Sequence, residues 1–134
     1  MKKLTPVYVV ERIEPCLEFW VGRLGFEKVV EIPEGDALGF VILTRGNVEI
    51  MYQSLASVAK DIPALATAPI GSASANGTYI EVSDIDDVEK RLAGWDVVVP
   101  RRTTFYGATE IGVREPGGNL IIFAQMTQDG AAPS

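Results

Sequence analysis

The segment Gly46-Asn-Val-Glu-Ile-Met-Tyr-Gln53 matches the segment Gly118-Asn-Leu-Ile-Ile-Phe-Ala-Gln125 position for position. A second pair of segments, each of which precedes one member of the first pair, matches in the same order. Residues 7–26 and residues 78–95 each pass from a strand pattern through a helix pattern to a glycine followed by an aromatic residue. Two matches in the same order indicate an internal duplication, and a duplication predicts that each half of the chain is one structural unit.

Each half shows the same order of strand and helix patterns. In the first half, strands are predicted at 5–12, 26–32, 38–44 and 47–53, with a helix that begins near Pro15 and ends at Gly25. In the second half, strands are predicted at 77–83, 95–99, within 103–114 and at 119–125, with a helix that begins at Asp84. One helix covers only one face of such a sheet, so the other face needs a partner. The sequence therefore predicts an α+β fold of two βαβββ modules in tandem, whose curved sheets form a cup.

The 134 residues are expected to form a single domain. Module one covers about residues 4–53, a linker covers about 54–76, module two covers about 77–125, and a frayed tail covers 126–134. The linker is expected to hold a short helix that ends before Pro63, followed by a flexible run at 66–76 that is rich in Ala, Ser, Gly and Pro.

The composition argues against several classes of function. The net charge is −6 and the basic residues are scattered, which is unlike a nucleic-acid-binding protein. No apolar run approaches the roughly 20 residues that span a bilayer, and no signal peptide is predicted. The single cysteine permits no intramolecular disulfide. We therefore expect a cytoplasmic protein with neither a nucleic-acid nor a membrane partner.

Histidine is absent from the sequence. Its absence removes both the usual general base and the commonest metal ligand.

Two motifs resemble the glyoxalase/bleomycin resistance protein/dioxygenase superfamily, also called the vicinal oxygen chelate superfamily. Residues 16–26, CLEFWVGRLGF, resemble the end of its first helix, and Tyr106-Gly107 followed by residues 115–122, EPGGNLII, resembles its closing motif. The resemblance covers roughly residues 5–125. It implies the same cup of two βαβββ modules, and it implies for metal-dependent members a cation held by side chains on four inner strands.

Carried over by register, those four ligand positions fall on Thr5, Gly77, Ile50 and Ile122. A lone threonine hydroxyl, a glycine and two isoleucines make no competent ligand set for a divalent cation. Glu49, one residue from Ile50, is expected to point to the opposite face. The resemblance therefore implies a member without metal or other cofactor, similar to the bleomycin-resistance proteins, which bind small molecules non-covalently and commonly form homodimers.

Strand alternation extends the inner face from these four positions. Gly77 leaves volume for a ligand, and Tyr52 and Tyr79 could stack on a planar or cationic ligand or simply fill the core. Arg102 lies in a predicted loop at 101–104 that could contact an anion or be a solvated turn. The predicted ligand-binding residues are Thr5, Val7, Ile50, Tyr52, Gly77, Tyr79, Glu81, Arg102 and Ile122.

Two functions follow from this prediction. The preferred hypothesis is a non-catalytic protein that binds a planar or cationic small molecule, because the chain lacks histidine and is acidic. The alternative is a metal-independent isomerase, epimerase or lyase with Glu81 as its base, since a carboxylate on an apolar face has a raised pKa. A salt bridge from Glu81 to Arg102 or Arg114 is the competing structural interpretation of that residue, and an interaction module without a small ligand is a third possibility.

Overall fold

The computed structural model describes residues 1–67 and 76–126, which form two four-stranded sheets. The strands are β1 Val7–Val10, β2 Glu27–Glu34, β3 Ala37–Arg45, β4 Val48–Ser54, β5 Gly77–Glu81, β6 Asp96–Thr103, β7 Ala108–Arg114 and β8 Leu120–Met126. Their orders are β1-β4-β3-β2 and β5-β8-β7-β6. In each sheet the first strand is parallel to the last, and the other pairs are antiparallel. The predicted α+β class and tandem modules are confirmed, and the cup stays a prediction.

Three of the helices lie where the sequence patterns place them, and a further short helix begins at Pro63, where none was predicted. They are α1 Glu14–Leu17, which continues as a π-helix over Glu18–Arg23, then α2 Leu55–Asp61, α3 Pro63–Ala66 and α4 Ile85–Arg91. Gly25 follows the first helix with a φ of 76°, a conformation that glycine adopts without strain. The side chain of Asp84 accepts a hydrogen bond from the Asp87 amide and so caps α4. The helix predicted before Pro63 is confirmed as α2.

The first helix packs on one face of the first sheet. The indole Nε1 of Trp20 donates a hydrogen bond to the Tyr52 hydroxyl at 2.8 Å, and both residues are fully buried. Tyr8 lies beside Tyr52 with ring centroids 5.1 Å apart, and Phe26 meets Trp20 at 4.9 Å. This aromatic group defines the helix side of the first sheet, and its polar atoms are paired inside the core.

The structure corrects the predicted face of Ile50 and Tyr52. Tyr52 pairs with Tyr8 and Ile50 pairs with buried Leu43, so both side chains point to the helix side and not to the face of Thr5. Glu49, expected to point away from Thr5, instead accepts a hydrogen bond from its hydroxyl at 3.0 Å. The predicted inner face was therefore displaced by one residue in β4, while Thr5 and Val7 keep the predicted face.

The cause of this displacement lies in the two hairpins. The β3–β4 ladder ends at the pair Arg45–Val48, with residues 46–47 between the strands, whereas the β7–β8 ladder ends at Arg114–Leu120, with residues 115–119 between them. The Gly-Asn turn therefore stands one residue farther from the first buried side chain of β4, Ile50, than from that of β8, Ile121. Because side chains alternate between faces, a shift of one residue exchanges the two faces.

Two further predictions are corrected at the edge strands. β6 continues through Thr103, so residues 101–103 are strand and not loop. β2 continues through Glu34, past the predicted end at Ile32. Both strands lie at a sheet edge, where Pro33 and Pro100 can be accommodated. Met126 closes β8 and is not part of a frayed tail, while residues 127–134 and most of the predicted flexible run, 68–75, lie outside the described residues.

Candidate functional site

One face of the second sheet brings together most of the predicted site residues. Residues paired directly across neighbouring strands share a face, and the pairs are Gly77–Leu120, Tyr79–Ile122, Glu81–Ala124, Gly112–Ile122, Glu110–Ala124 and Arg102–Glu110. We call this the open face of the second sheet. Tyr79 on it is 44% exposed, whereas Ile121 and Phe123, on the side towards α4, are buried. The open face is therefore accessible at its β5 and β6 residues, Gly77, Tyr79, Glu81 and Arg102, whereas Glu110, Gly112 and Ala124 on the same face are buried.

Glu110 is the centre of a polar cluster on the open face. Its side chain is 1% exposed and accepts hydrogen bonds on both oxygens. The hydroxyls of Tyr79 and Tyr106 both donate to Oε2, and Arg102 donates to Oε1 from Nη2 at 3.0 Å and from Nε at 3.2 Å. We call these four residues the Glu110 cluster. A buried carboxylate with this many donors is satisfied as an ion.

The protonation states within the Glu110 cluster follow from these contacts. Burial by itself would raise the pKa of Glu110, but the hydrogen bonds from Tyr106, Tyr79 and Arg102 outweigh burial and hold that pKa below its usual value. Desolvation of the Tyr79 hydroxyl, together with its hydrogen bond to Glu110, raises the pKa of that phenol far above its usual range. At neutral pH the cluster therefore consists of an ionised carboxylate, an arginine cation and a neutral Tyr79 phenol.

The remaining predicted residues of module two lie on the open face but outside the Glu110 cluster. Glu81 is exposed at the end of β5, and Arg102 pairs with Glu110, so the expected salt bridge from Glu81 to Arg102 is not formed. Gly77 borders open volume, since a Cβ built there would have its nearest neighbouring atom, Cδ2 of Leu120, 3.8 Å away. Ile122 is half-buried beside Tyr79 and forms part of an apolar floor.

In module one, Thr5 and Val7 lie on the face opposite to the helix side. Val7 is 46% exposed and pairs with Met51. The Thr5 hydroxyl and the Lys3 ammonium both contact Oε1 of Glu49, at 3.0 and 2.9 Å. The hydrogen bonds from Lys3 and Thr5 lower the pKa of Glu49. This carboxylate is thus neutralised locally.

The residues at the family's metal positions do not fit a divalent cation. Thr5 donates its proton to Glu49, and Glu49 is in turn paired with Lys3. Gly77 and Ile122 have no side-chain donor atom. Within residues 1–67 and 76–126, no group of three or more His, Cys, Asp or Glu side chains is placed to hold a metal ion.

Sequence reasoning missed Glu110 and Tyr106. A weak signal for Glu110 was present, because it is the one charged residue in the interior of the strand pattern 108–113, ATEIGV, between the small residues Ala108 and Gly112 on the same alternation. Tyr106 lies in the turn before β7, where no periodicity predicts the direction of a side chain. Both were found only because the fold brings them to Tyr79.

Comparisons with known proteins agree with this architecture. The family model described as "Glyoxalase/Bleomycin resistance protein/Dioxygenase superfamily" matches residues 4–123. No curated protein matches the chain significantly. In the part of the chain that the structure describes, none of the helices has the length and apolar character needed to cross a membrane.

Three solved structures with this fold are similar to the chain. A glyoxalase/bleomycin resistance protein/dioxygenase from Nocardioides is 19% identical, with a TM-score of 0.71 over 100% of this chain and 89% of that one. A bleomycin-binding protein from Streptomyces verticillus, complexed with copper(II)-bleomycin, is 23% identical, with a TM-score of 0.61 over 92% and 94%. A lactoylglutathione lyase from Agrobacterium tumefaciens is 16% identical, with a TM-score of 0.67 over 93% and 94%. With the family model matching nearly the whole sequence, the chain belongs to the glyoxalase/bleomycin resistance protein/dioxygenase superfamily.

Proposed function

We propose that this protein binds a planar small molecule on the open face of the second sheet, without catalysing its conversion. The observation that carries the proposal is the Glu110 cluster, a buried and saturated carboxylate that holds a half-exposed tyrosine over apolar strand residues. A binding site of this kind combines an apolar surface with a few fixed polar groups.

The state of Glu110 favours binding over acid–base catalysis. A general base needs an accessible lone pair and a pKa near the working pH. Glu110 is 1% exposed, its oxygens are engaged by Tyr79, Tyr106 and Arg102, and its pKa is lowered. Such a carboxylate positions its neighbours and does not take up a proton from a substrate.

The surface around Tyr79 suits a flat ligand. Its ring is accessible, Ile122 and Leu120 are half-buried beside it, and Gly77 leaves space above Leu120. Aromatic rings stack on tyrosine with a favourable contact of about 0.5–1.5 kcal/mol beyond the area that they bury. The net charge of −6 favours a cationic ligand over an anionic one.

The finer features of the proposal have separate support. Binding without a metal is supported by the poor donor set at Thr5, Gly77 and Ile122. The bleomycin-binding protein from Streptomyces verticillus shows that this fold can hold a small molecule. A cytoplasmic location accords with the single, buried Cys16, which needs no oxidising compartment.

A homodimer is proposed from the exposed apolar residues of the edge strands. Ile32 in β2 is 52% exposed, and Val97 in β6 is 45% exposed. Exposed apolar side chains along a sheet edge are typical of surfaces that pair with another chain. Sedimentation velocity should show a dimer that Ile32→Lys weakens, and a monomer of the unchanged protein at all concentrations would overturn this part of the proposal.

Binding is tested with 2-naphthamidine, a planar aromatic cation, titrated into isotopically labelled protein and followed by two-dimensional NMR. We expect the largest shifts at residues of the open face, and we expect Tyr79→Ala to abolish them. Ile62→Ala is the control, since Ile62 is an apolar residue that is 43% exposed and lies outside the Glu110 cluster. If the amidine shifts no open-face resonance, or shifts them equally in Tyr79→Ala, the proposed function is wrong.

The alternative function is a metal-independent isomerase, epimerase or lyase. It is favoured by one observation, that Glu81 shares the open face with Tyr79 and Arg102. On this alternative the protein would exchange solvent deuterium into a carbon acid substrate. Glu81→Gln would then abolish the exchange and leave the melting temperature nearly unchanged, and exchange that persists in this variant would exclude Glu81 as the base.

A further inference from the structure

We propose that the paired phenol oxygens of the Glu110 cluster select ligands by hydrogen-bond polarity, favouring a planar group that donates through N–H or O–H over one that can only accept. This inference rests on the proposed function, and it adds the chemical class of the ligand. It follows from which atoms of Tyr79 and Tyr106 are already committed to Glu110.

The two phenols of the cluster have no proton left for a ligand. An ionised carboxylate only accepts hydrogen bonds, and each tyrosine hydroxyl has one proton to donate and two lone pairs. Both hydroxyls donate to the same Oε2 atom of Glu110. Their oxygens consequently lie 3.3 Å apart. With both protons directed at Glu110, the two phenol oxygens offer a ligand lone pairs only.

The second step concerns Arg102, the one cation of the cluster. Its Nε and Nη2 both donate to Oε1 of Glu110, at 3.2 and 3.0 Å. The positive charge is therefore matched by a carboxylate within hydrogen-bond distance. An anionic ligand could still reach the three N–H groups of Arg102 that do not contact Glu110, but the adjacent Glu110 carboxylate offsets its attraction to the guanidinium, and at Tyr79 and Tyr106 it would meet only lone pairs.

The third step is the expected selectivity. A ligand group that only accepts would place its lone pairs against those of the phenol oxygens and would lose its hydrogen bonds to water. An unmade hydrogen bond of this kind costs about 1–3 kcal/mol, which corresponds to a preference of roughly 5-fold to 160-fold for the donating group, and we expect about tenfold. The Tyr79 ring would contribute equally to the binding of the donating and the accepting ligand. The ratio of their affinities therefore reports the hydrogen-bond polarity of the cluster.

The experiment compares two planar probes that carry no charge, 2-naphthol and its methyl ether. Both stack through the same ring, but only the naphthol can donate a hydrogen bond. We expect the naphthol to bind about tenfold more tightly in NMR titrations. Because both probes are neutral, the overall charge of −6 does not influence the ratio.

The charged pair 2-naphthamidine and 2-naphthoate extends the comparison. The ratio of their affinities is measured at about 1 M salt, where the screening length is about 3 Å. Under these conditions it reports local polarity and not the net charge of the protein. We again expect the donor, here the amidine, to be preferred.

Two variants connect the preference to the cluster. Tyr79→Phe keeps the ring and removes one of the two phenol oxygens, so the naphthol preference should fall to about twofold or less while the methyl ether still binds. Glu110→Gln replaces the ionised acceptor of the phenol protons with a neutral one. It should therefore also reduce the preference for 2-naphthol over its methyl ether. Ile62→Ala, which changes an exposed residue outside the cluster, should keep the tenfold ratio.

The outcomes separate the two proposals. If 2-naphthol and its methyl ether bind at the open face with equal affinity, or if the ether binds more tightly, the polarity inference is overturned and the binding function stands. A preference that persists unchanged in Tyr79→Phe overturns the assignment to this cluster. If no naphthyl probe reaches the open face, the proposed function itself fails.

Discussion

Replacing Glu110 with glutamine tests the central feature of the site, the buried carboxylate. The change keeps the size of the side chain and removes its charge. The amide oxygen of glutamine can still accept from Tyr79 and Tyr106, but its NH₂ group then faces the donors of Arg102. The variant therefore converts two charge-assisted hydrogen bonds into neutral ones and breaks the contact to Arg102.

The expected loss of stability follows from these contacts. A hydrogen bond to a charged group contributes about 1.5–3 kcal/mol and a neutral one about 0.5–1.5, so the two phenols lose about 2 kcal/mol together. Arg102 is 59% exposed and regains water, so its contribution is small. Relief of the buried charge acts in the opposite direction, but the lowered pKa of Glu110 indicates that its partners outweigh burial. We expect Glu110→Gln to lower the free energy of unfolding by roughly 2 kcal/mol.

The pH dependence of this loss has a definite sign. The pKa of Glu110 is lower in the folded state than its unfolded value of about 4.3. A carboxylate with a lowered pKa contributes stability that is present above the unfolded pKa and is lost as the pH falls through the folded pKa. The difference between the unchanged protein and Glu110→Gln should thus be largest at neutral pH and should shrink in acid.

Urea denaturation followed by circular dichroism measures both quantities. Glu81→Gln is the matched control, because Glu81 lies on the same face but is exposed, and it should change the stability by less than about 0.5 kcal/mol. The reasoning is refuted if Glu110→Gln costs no more than Glu81→Gln at neutral pH. It is also refuted if the cost stays constant when the pH falls below the unfolded pKa.

Three further substitutions test the scaffold by urea denaturation. Tyr52→Phe leaves the buried Nε1 of Trp20 without its acceptor and should cost about 1–3 kcal/mol, so a neutral result would exclude that hydrogen bond. Gly112→Ala places a Cβ 2.8 Å from Val99, its paired residue in β6, and should cost about 1–3 kcal/mol. Gly77→Ala is its control, because a Cβ at Gly77 meets no atom closer than 3.8 Å and should be tolerated. Equal losses of stability in the two variants would contradict the packing at β6. Asp84→Ala removes the cap of α4 and should cost about 1 kcal/mol, and an unchanged midpoint would show that the cap contributes nothing.

Much of the fold was predictable because its signals are local. The repeat of 46–53 in 118–125 predicted two modules, and glycines such as Gly25 and Gly94 marked helix ends. Alternation within β5 correctly grouped Gly77, Tyr79 and Glu81 on one face, since the pleat of a strand has a period of two. These features depend on backbone geometry over a few residues, and such geometry is encoded by neighbouring side chains.

The register between strands was decided by the tertiary structure. Ile50 matches Ile122 in the repeat, yet it points to the helix side, because the two hairpins have loops of different length and the buried positions begin one residue later in β4 than in β8. The polar centre of the site likewise depends on distant contacts, since Tyr79 and Glu110 are separated by 31 positions. Their meeting requires β8 to lie between β5 and β7, which no local pattern specifies. Local periodicity assigns each side chain to one of two faces, and only the pairing of strands determines which residues share a face.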